Sequence, residues 1–513
     1  MIQGFTIRGR NNMFIKNVIR RWSIFALGIS CILSFQGSIF AAQQKEMTVD
    51  TSQKVEINWY FIGNGPQKDT KLVENEINKY IAEHTDLNCT LKLNCFDWGT
   101  YNEHMEMMIT QKENFDICFT SYWANDYYKW ASKGAFYNLD EVLPTYAPKT
   151  QAILGEDCLK GAEINGKLYA IPCNQQNGAQ YGLVVREDLV KKYHMDLSKV
   201  KSLKDMEPFF EIIKKQEPHM NGLVCNNFAI KLLPYEYIMD DNVPGAVEWG
   251  TSNYKVINPV LTEEAINQYR VMHQYYLKWF IKADCPFSDW EYTSTDGYKD
   301  SFAIIELFYP GKLQYLEEDY GYKYIHIPFT QPYMERYEPL GSMLAISKTS
   351  RYPERALILL EQIYTDPELT NLINFGIEGL HYKVVGKSGN IKIMKTTQNT
   401  DRYNVDLGWA LGNQFLNNVY ENQDPDIWDK LGTFNKQTVK SKILGFHFDP
   451  SRVSKEVEAC QVVYDNYVPQ LATGLIDPDT NVPKMEKAFK AAGADKVIAE
   501  MQRQLDEWRT NVK

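Results

Sequence analysis

The chain has 513 residues, 55 basic against 65 acidic side chains and a net charge of −10, and it is 44% hydrophobic and 13% aromatic. That composition excludes a disordered or fibrous chain, and the length suits two or three domains at roughly 150 residues each. Residues 1–42 hold five bases and no acid, which leaves 50 bases against 65 acids, or −15, for the remainder. Such acidity argues against nucleic acid or anionic membrane surfaces as partners, because affinity for both rests on Lys and Arg neutralising phosphates.

After Arg20-Arg21 the chain is uncharged from Trp22 to Gln44, with an apolar centre at Ile24–Phe35 and small residues at Ala41-Ala42. A basic flank, an apolar stretch of roughly 7–15 residues and then small residues is the grammar of an export signal. Three readings stay open: cleavage near Ala41 or Ala42, lipidation of Cys31 after a loose lipobox at Leu27–Ser30, and an uncleaved anchor. An anchor needs about 20 apolar residues, and Gln36-Gly37-Ser38 interrupts this run; Met1 and Met13 are both possible starts.

The nine cysteines include no CxxC and no zinc spacing with histidine. Cys89 and Cys95 share an alternating strand pattern, and six positions at about 3.3 Å each put them near 20 Å apart, too far to bond. Buried free thiols are the expectation.

In chain order, Val55–Phe61 alternates apolar and polar residues and reads as a strand that Asn64-Gly65-Pro66 ends. Leu72, Val73, Ile77, Tyr80 and Ile81 form a helical stripe, Thr90–Phe96 is the next strand, Tyr101–Gln111 a helix and Phe115–Phe119 a third strand. Strand, helix, strand, helix, strand at this spacing predicts a parallel sheet with right-handed crossovers, and ligands of such sheets sit beyond the strands' carboxyl ends. Asn64, Asp97 and Trp98, and Trp123 with Asn125, stand at those ends.

Further on, Asn165–Pro172 and Tyr181–Arg186 read as strands, Leu203–Lys215 and Glu263–Phe280 as helices, and Phe302–Phe308 and Leu340–Ser347 as strands. Tyr352–Tyr364 is a helix with Pro353 in its first turn. Beyond residue 386 helices are expected to dominate, closing with Met485–Trp508, whose Ile498, Met501, Leu505 and Trp508 form an apolar face.

The leader, Asp116–Ser121, Lys133–Asp140, Asn165–Pro172 and Tyr352–Ala356 together resemble an extracellular solute-binding protein of a bacterial ABC importer, of the carbohydrate-leaning group typified by maltose-binding protein. The second half is similar to the branch with a DUF3502-type lipoprotein C-terminal region, through Tyr364–Leu369, Gly376–Tyr382, Leu444–Phe448 and Glu500–Trp508. The resemblance implies an α/β, periplasmic-binding-protein-like type II fold, two lobes around a hinge and a ligand cleft with a helical C-terminal region. It divides the chain into a signal at 1–42, lobe one at 43–174 plus 311–385, lobe two at 175–310 and the helical region at 386–513. The chain would then cross between lobes at Cys173–Gly178 and return at Tyr309–Gly311.

Sugars present apolar C–H faces and hydroxyl rims, so a sugar cleft wants aromatic plates with Asp, Glu, Asn or Gln beside them. Trp123 with Asn125, Trp98 with Asp97, and Asn64 meet that description in the first half. In the second half, Glu378, His381 and Tyr382 lie in a glycine-bounded turn, Trp409 and Asn413 stand one helical turn apart, and Trp290 and Tyr292 could join from lobe two.

The expected function is an extracytoplasmic, monomeric binder of a small polar solute, an oligosaccharide by preference, that delivers it to membrane permease subunits. A secreted glycoside hydrolase, which needs only two carboxylates, and a surface protein that presents its ligand to a membrane sensor stay open beside it. No catalytic nucleophile motif, metal loop or nucleotide-binding loop stands in the context its mechanism needs, so no cofactor, metal or nucleic acid is expected.

Overall fold

The computed structural model describes residues 49–224, 227–281 and 296–511; the leader with Cys31, Ala41 and Ala42, and the candidates Trp290 and Tyr292, lie outside the described residues. Nine strands carry the architecture. β1 (Val55–Gly63), β2 (Cys89–Asp97), β3 (Ile117–Thr120) and β4 (Ala170–Pro172) come first, followed by β5 (Gln180–Arg186), β6 (Asn221–Val224), β7 (Ser301–Phe308), β8 (Tyr324–Pro328) and β9 (Met343–Ile346).

The first sheet has the order β2-β1-β3-β9-β4. β1 runs parallel to β2 and β3 as the strand-helix-strand order predicts, and its alternation buries Ile57, Trp59 and Phe61 on one face. β9 runs antiparallel to β3 and β4, because the chain enters it from the side of the lobe junction, with no helical crossover to reverse it. Its amino end therefore meets the carboxyl ends of β1–β3 at one edge. The second sheet, β8-β5-β7-β6, is mixed: β5 is antiparallel to β7 and β8, and β7 is parallel to β6.

Each sheet has its own core. The first gathers residues from 55–173, 340–373 and 403–411; the second gathers residues from 183–327 and 443–505. Three divisions read from the sequence shift accordingly. Residues 311–328 belong with the second sheet, since β8 pairs with β5 and Leu316 and Ile327 sit in the second core. Residues 386–420 hold no α-helix, only two 3-10 turns at Thr400–Arg402 and Gln414–Leu416: Tyr382–Ser388, Ile391–Thr396 and Val419–Tyr420 form a small sheet, and Tyr403 and Leu411 pack in the first core. The closing segment is two helices, Pro478–Ala492 and Ala494–Asn511, because Gly493 takes φ 91° and a Cβ there would meet Glu456 at 2.6 Å. With Ser454–Ala472 they bury Cys460, Met485, Phe489 and Met501 against Tyr269 and Met272 of the second lobe.

Three segments cross between the lobes, one more than the sequence suggested. The first passes Cys173–Gly178, the second Tyr333–Met334 and the third Val439–Lys440. Tyr333–Met334 pairs in parallel with Val439–Lys440, and Ala179 bridges Tyr333. Gly178 lies so close that a Cβ would stand 2.6 Å from Thr438 Cγ2 and 2.9 Å from the Tyr333 carbonyl oxygen. Glu236, fully buried in lobe two, accepts hydrogen bonds from Tyr333 Oη (3.0 Å), the Arg336 amide (2.6 Å) and Ser441 Oγ (2.7 Å), so one carboxyl ties the second and third crossings together.

His326 on β8 stacks on Phe308, ring centroids 4.2 Å apart, and its buried Nε2 has no hydrogen-bond partner. Burial pushes the imidazole down to about 4. The neutral ring is favoured in the fold, so below the unfolded value of about 6.5 the unfolded chain binds more protons and stability falls as pH drops towards 4. His326→Phe is expected to recover about 1–2 kcal/mol at pH 5 and little at pH 8. Melting curves of both proteins at the two pH values check this; equal shifts at both would remove the titration as the cause.

Candidate functional site

Trp98 follows β2, Trp123 follows β3, and Trp409 comes from the segment that completes the first core. Their rings form a near-equilateral triangle with centroid separations of 6.4 Å (98 to 123), 6.3 Å (98 to 409) and 6.2 Å (123 to 409), and interplanar angles of 24°, 14° and 38°. Trp98 and Trp123 keep 46% and 41% of their surface exposed, an unusual cost for two adjoining indoles in the absence of a ligand. Each is fixed by its indole N–H: Trp98 Nε1 donates to Asn64 Oδ1 (3.0 Å), and Trp123 Nε1 donates to the Gly341 carbonyl (2.8 Å) at the amino end of β9. Beneath them Phe119 meets Trp409 edge-on at 6.2 Å and 88°.

Beside this plateau a cleft of about 1640 Å³ opens between the lobes. Tyr122 and Gly341 line it from lobe one, Lys231 and Asp241 from lobe two, and Glu335–Glu338 from the second crossing. A smaller cavity of about 420 Å³ holds Trp409, Trp428 and Pro310, and the two share Gln175, Gln176 and Tyr309. The wall carries aromatic faces beside amides and carboxyls: Tyr122 packs on Tyr337 at 5.6 Å, and Tyr128 stacks on His447 at 3.7 Å.

The buried Lys231 ammonium is shared between Glu335 (3.3 Å) and Asp241 (3.1 Å). Burial opposes its charge, but Glu335 and the other acids around it hold its proton more firmly than usual. Burial, and then Glu335, pushes Glu338 up to about 8.

The other candidates have partners inside the fold. Asp97 accepts from Thr100 Oγ1 (2.6 Å) and from the Gly99 and Thr100 amides (3.0 and 3.1 Å), which holds its carboxyl below the usual range; it closes the turn that leads into the helix Tyr101–Gln111. Asn125 is buried in the left-handed region (φ 46°) and donates to the Phe119 carbonyl (2.8 Å), pointing away from the cleft that its neighbour Trp123 flanks. Glu378 pairs with Lys392 (3.1 Å). His381 is fully buried, accepts from the Ile377 amide at Nδ1 (2.9 Å) and lies 3.3 Å from Asp69, which Arg402 grips at 2.5 and 2.6 Å. Tyr382 is buried against Phe375 and Met394. Asn413 accepts from Asn174 Nδ2 (2.8 Å) and donates to the Tyr364 carbonyl (2.8 Å), bracing the first crossing. The glycine-bounded turn at 376–382 thus serves packing, and the one-turn pairing of Trp409 with Asn413 separates into a plateau ring and a hinge brace.

Sequence reasoning missed Tyr122, although it adjoins Trp123, and Gln175 and Gln176, although they lie in the first crossing it marked; it missed Tyr309 too, and Tyr309–Gly311 does not return the chain to lobe one but turns it from β7 into the helix Lys312–Tyr320 of lobe two. Lys231, Glu335 and Glu338 carried no local signal, because only the return of the second crossing brings them together.

Residues 442–510 match a family model described as a domain of unknown function, DUF3502. A carbohydrate ABC transporter substrate-binding protein of Streptococcus pneumoniae serotype 4 (strain ATCC BAA-334 / TIGR4) is 26% identical over 505 residues, covering 96% of this chain and 100% of the relative. The crystal structure of an N-glycan transport solute binding protein (NgtS) from Streptococcus pneumoniae superposes with a TM-score of 0.78 at 25% identity, covering 90% of this chain and 100% of that one. The same protein in complex with Man1GlcNAc gives a TM-score of 0.67 at 25% identity, covering 88% and 99%.

Proposed function

We propose that this chain, a type II solute-binding protein in fold and in its similarity to carbohydrate-binding relatives, captures an oligosaccharide between its lobes and hands it to the permease of an ABC importer. The observation that carries the reading is the triangle of Trp98, Trp123 and Trp409, two of its rings open to solvent, at the carboxyl ends of β1–β3 and beside the inter-lobe cleft. Flat indole faces suit the C–H faces of pyranose rings, and the amides and carboxyls alongside suit their hydroxyls.

The crossing segments make the second half of the function. A ligand that touches both lobes stabilises the closed arrangement over the open one by its differential contacts, and a permease can sense that change. Residues 1–42 serve as the export signal in this reading, with the protein working outside the cytoplasm.

Calorimetric titration of the mature chain against a panel of neutral N-glycan and plant oligosaccharides tests the proposal. Saturable one-to-one binding of at least one glycan, recovered intact, is the expected result. Cleavage of the glycan, or no binding across the panel, overturns it.

A further inference from the structure

Glu338 stands apart from the other polar groups of the cleft. It begins the short turn Glu338–Leu340 on the second crossing and lines the larger cavity. The same turn anchors the aromatic plateau: the Tyr122 amide donates to the Leu340 carbonyl (3.0 Å), and the Trp123 indole donates to the Gly341 carbonyl (2.8 Å). Tyr337, one residue earlier, carries the Tyr122 ring. The Glu338 carboxyl thus sits between the plateau and the charged wall of lobe two.

Its neighbours are all engaged. Lys231 is committed to Glu335 and Asp241, Lys129 to Glu106 (2.9 Å) and Lys312 to Glu306 (3.8 Å). Arg336 donates from Nε to the Tyr237 carbonyl (3.3 Å), and its guanidinium lies over Tyr337. Glu338 has no ion pair or side-chain hydrogen bond among the described residues, and burial has pushed its carboxyl up to about 8, as a group short of donors should be. The cavity as a whole is lined by seven acidic side chains against four lysines and arginines.

Two consequences follow for an incoming sugar. A sugar hydroxyl that bonds Glu338 supplies a partner that no side chain of the protein provides, and a half-buried polar group gains from such a bond once the ligand displaces water. A carboxylate on the sugar meets the reverse: desolvation, an acidic lining, lysines already paired with acids, and Arg336, stacked on Tyr337, as the one lining cation without a carboxylate partner among the described residues. Repulsion of this kind discriminates between ligands even where the attractive contacts are shared.

We propose that Glu338 is the principal hydroxyl-bonding group of the cleft, and that the acids around it, Asp240, Asp241 and Glu335 among them, make the site selective for neutral oligosaccharides over those bearing uronate or sialate groups. This rests on the oligosaccharide reading above and adds the ligand's charge and the residue that reads it.

The test uses the full mature chain and two probes, a neutral oligosaccharide that the panel shows to bind and the same oligosaccharide oxidised at its terminal C6 to the uronic acid. The neutral probe is expected to bind at least tenfold tighter, with the gap narrowing in high salt as the acids are screened. Glu338→Gln, nearly isosteric, is expected to weaken the neutral probe about fivefold or more at pH 9, where the wild-type carboxyl is ionised, while keeping the wild-type melting temperature. Glu338→Lys is expected to bring the uronate probe level with or ahead of the neutral one. Equal affinity of the wild type for both probes overturns the selectivity, and an unchanged neutral affinity in Glu338→Gln overturns the residue's role; both leave the oligosaccharide reading intact. Failure of the panel to yield any binding glycan overturns that reading and this one with it.

Discussion

Alanine at Trp98 or Trp123 is expected to weaken glycan binding by about 10- to 100-fold each, or about 1.4–2.8 kcal/mol. Both rings are more than two-fifths exposed, so little of the core depends on them. Their removal costs contact with the ligand and leaves the lobe's packing in place, and the melting temperatures should shift by no more than a few degrees. Trp409→Ala should match them in affinity but also destabilise the fold, because its ring is half-buried against Phe119. Phenylalanine at Trp98 or Trp123 keeps a flat apolar face, loses the N–H that fixes the ring to Asn64 or Gly341, and should fall between wild type and alanine. Calorimetric titration with a melt of each variant checks the series. Wild-type affinity in all three alanine variants would remove the plateau from the binding site.

Glu236→Ala carries the largest expected effect on stability. The substitution strips the acceptor from Tyr333 Oη, the Arg336 amide and Ser441 Oγ in a fully buried place. The expected cost is about 3–5 kcal/mol. Glu236→Gln keeps an oxygen acceptor and should cost about 1–2 kcal/mol. The wild-type carboxyl is pushed up to about 7, chiefly by burial and then by Glu335. For an acid raised in this way the folded state holds the proton more tightly between about 4.5 and 7, so its contribution is full below that window and is lost as pH rises through it. Glutamine should remove this group's share of the slope, Glu338 keeping its own. Denaturant unfolding at pH 5 and pH 8 measures both effects; a glutamine variant that keeps the full wild-type slope would place the titration on another group. His326 titrates in the opposite sense over nearly the same window, so Glu236→Gln should flatten the profile and His326→Phe should steepen it.

Local periodicity made much of the first lobe legible. Alternation at Val55–Phe61 and Thr90–Phe96, and the stripe through Val73, Ile77 and Ile81, describe elements whose buried faces are contiguous in sequence. The rule that ligands gather at strand carboxyl ends points from the sequence to Trp98 and Trp123, whose rings the structure leaves open. It points equally to Asp97 and Asn125, because composition does not tell a turn-closing carboxylate or a buried turn amide from an open side chain. The failures beyond residue 310 share one cause. β8 is placed by pairing with β5, well over a hundred residues earlier, and Val439–Lys440 by pairing with Tyr333–Met334, about as distant. Two-residue strands have no periodicity to read, and a third crossing leaves no mark on the chain except where it lands.

The third crossing also bears on when the molecule can fold. Since the chain returns to lobe two only after Val439, and Met485, Met501 and Leu505 lie in the same core as Leu183 and Phe210, the second lobe stays unfinished until almost the last residue has been made. Lobe one waits too, until Tyr403–Leu411 arrives to close it. Contacts of such long sequence separation make folding slow. A nascent chain of 400 residues therefore has no complete core, and a chain truncated before residue 442 should expose the face of Glu263–Leu277 that Ser454–Ala472 and Pro478–Ala492 cover.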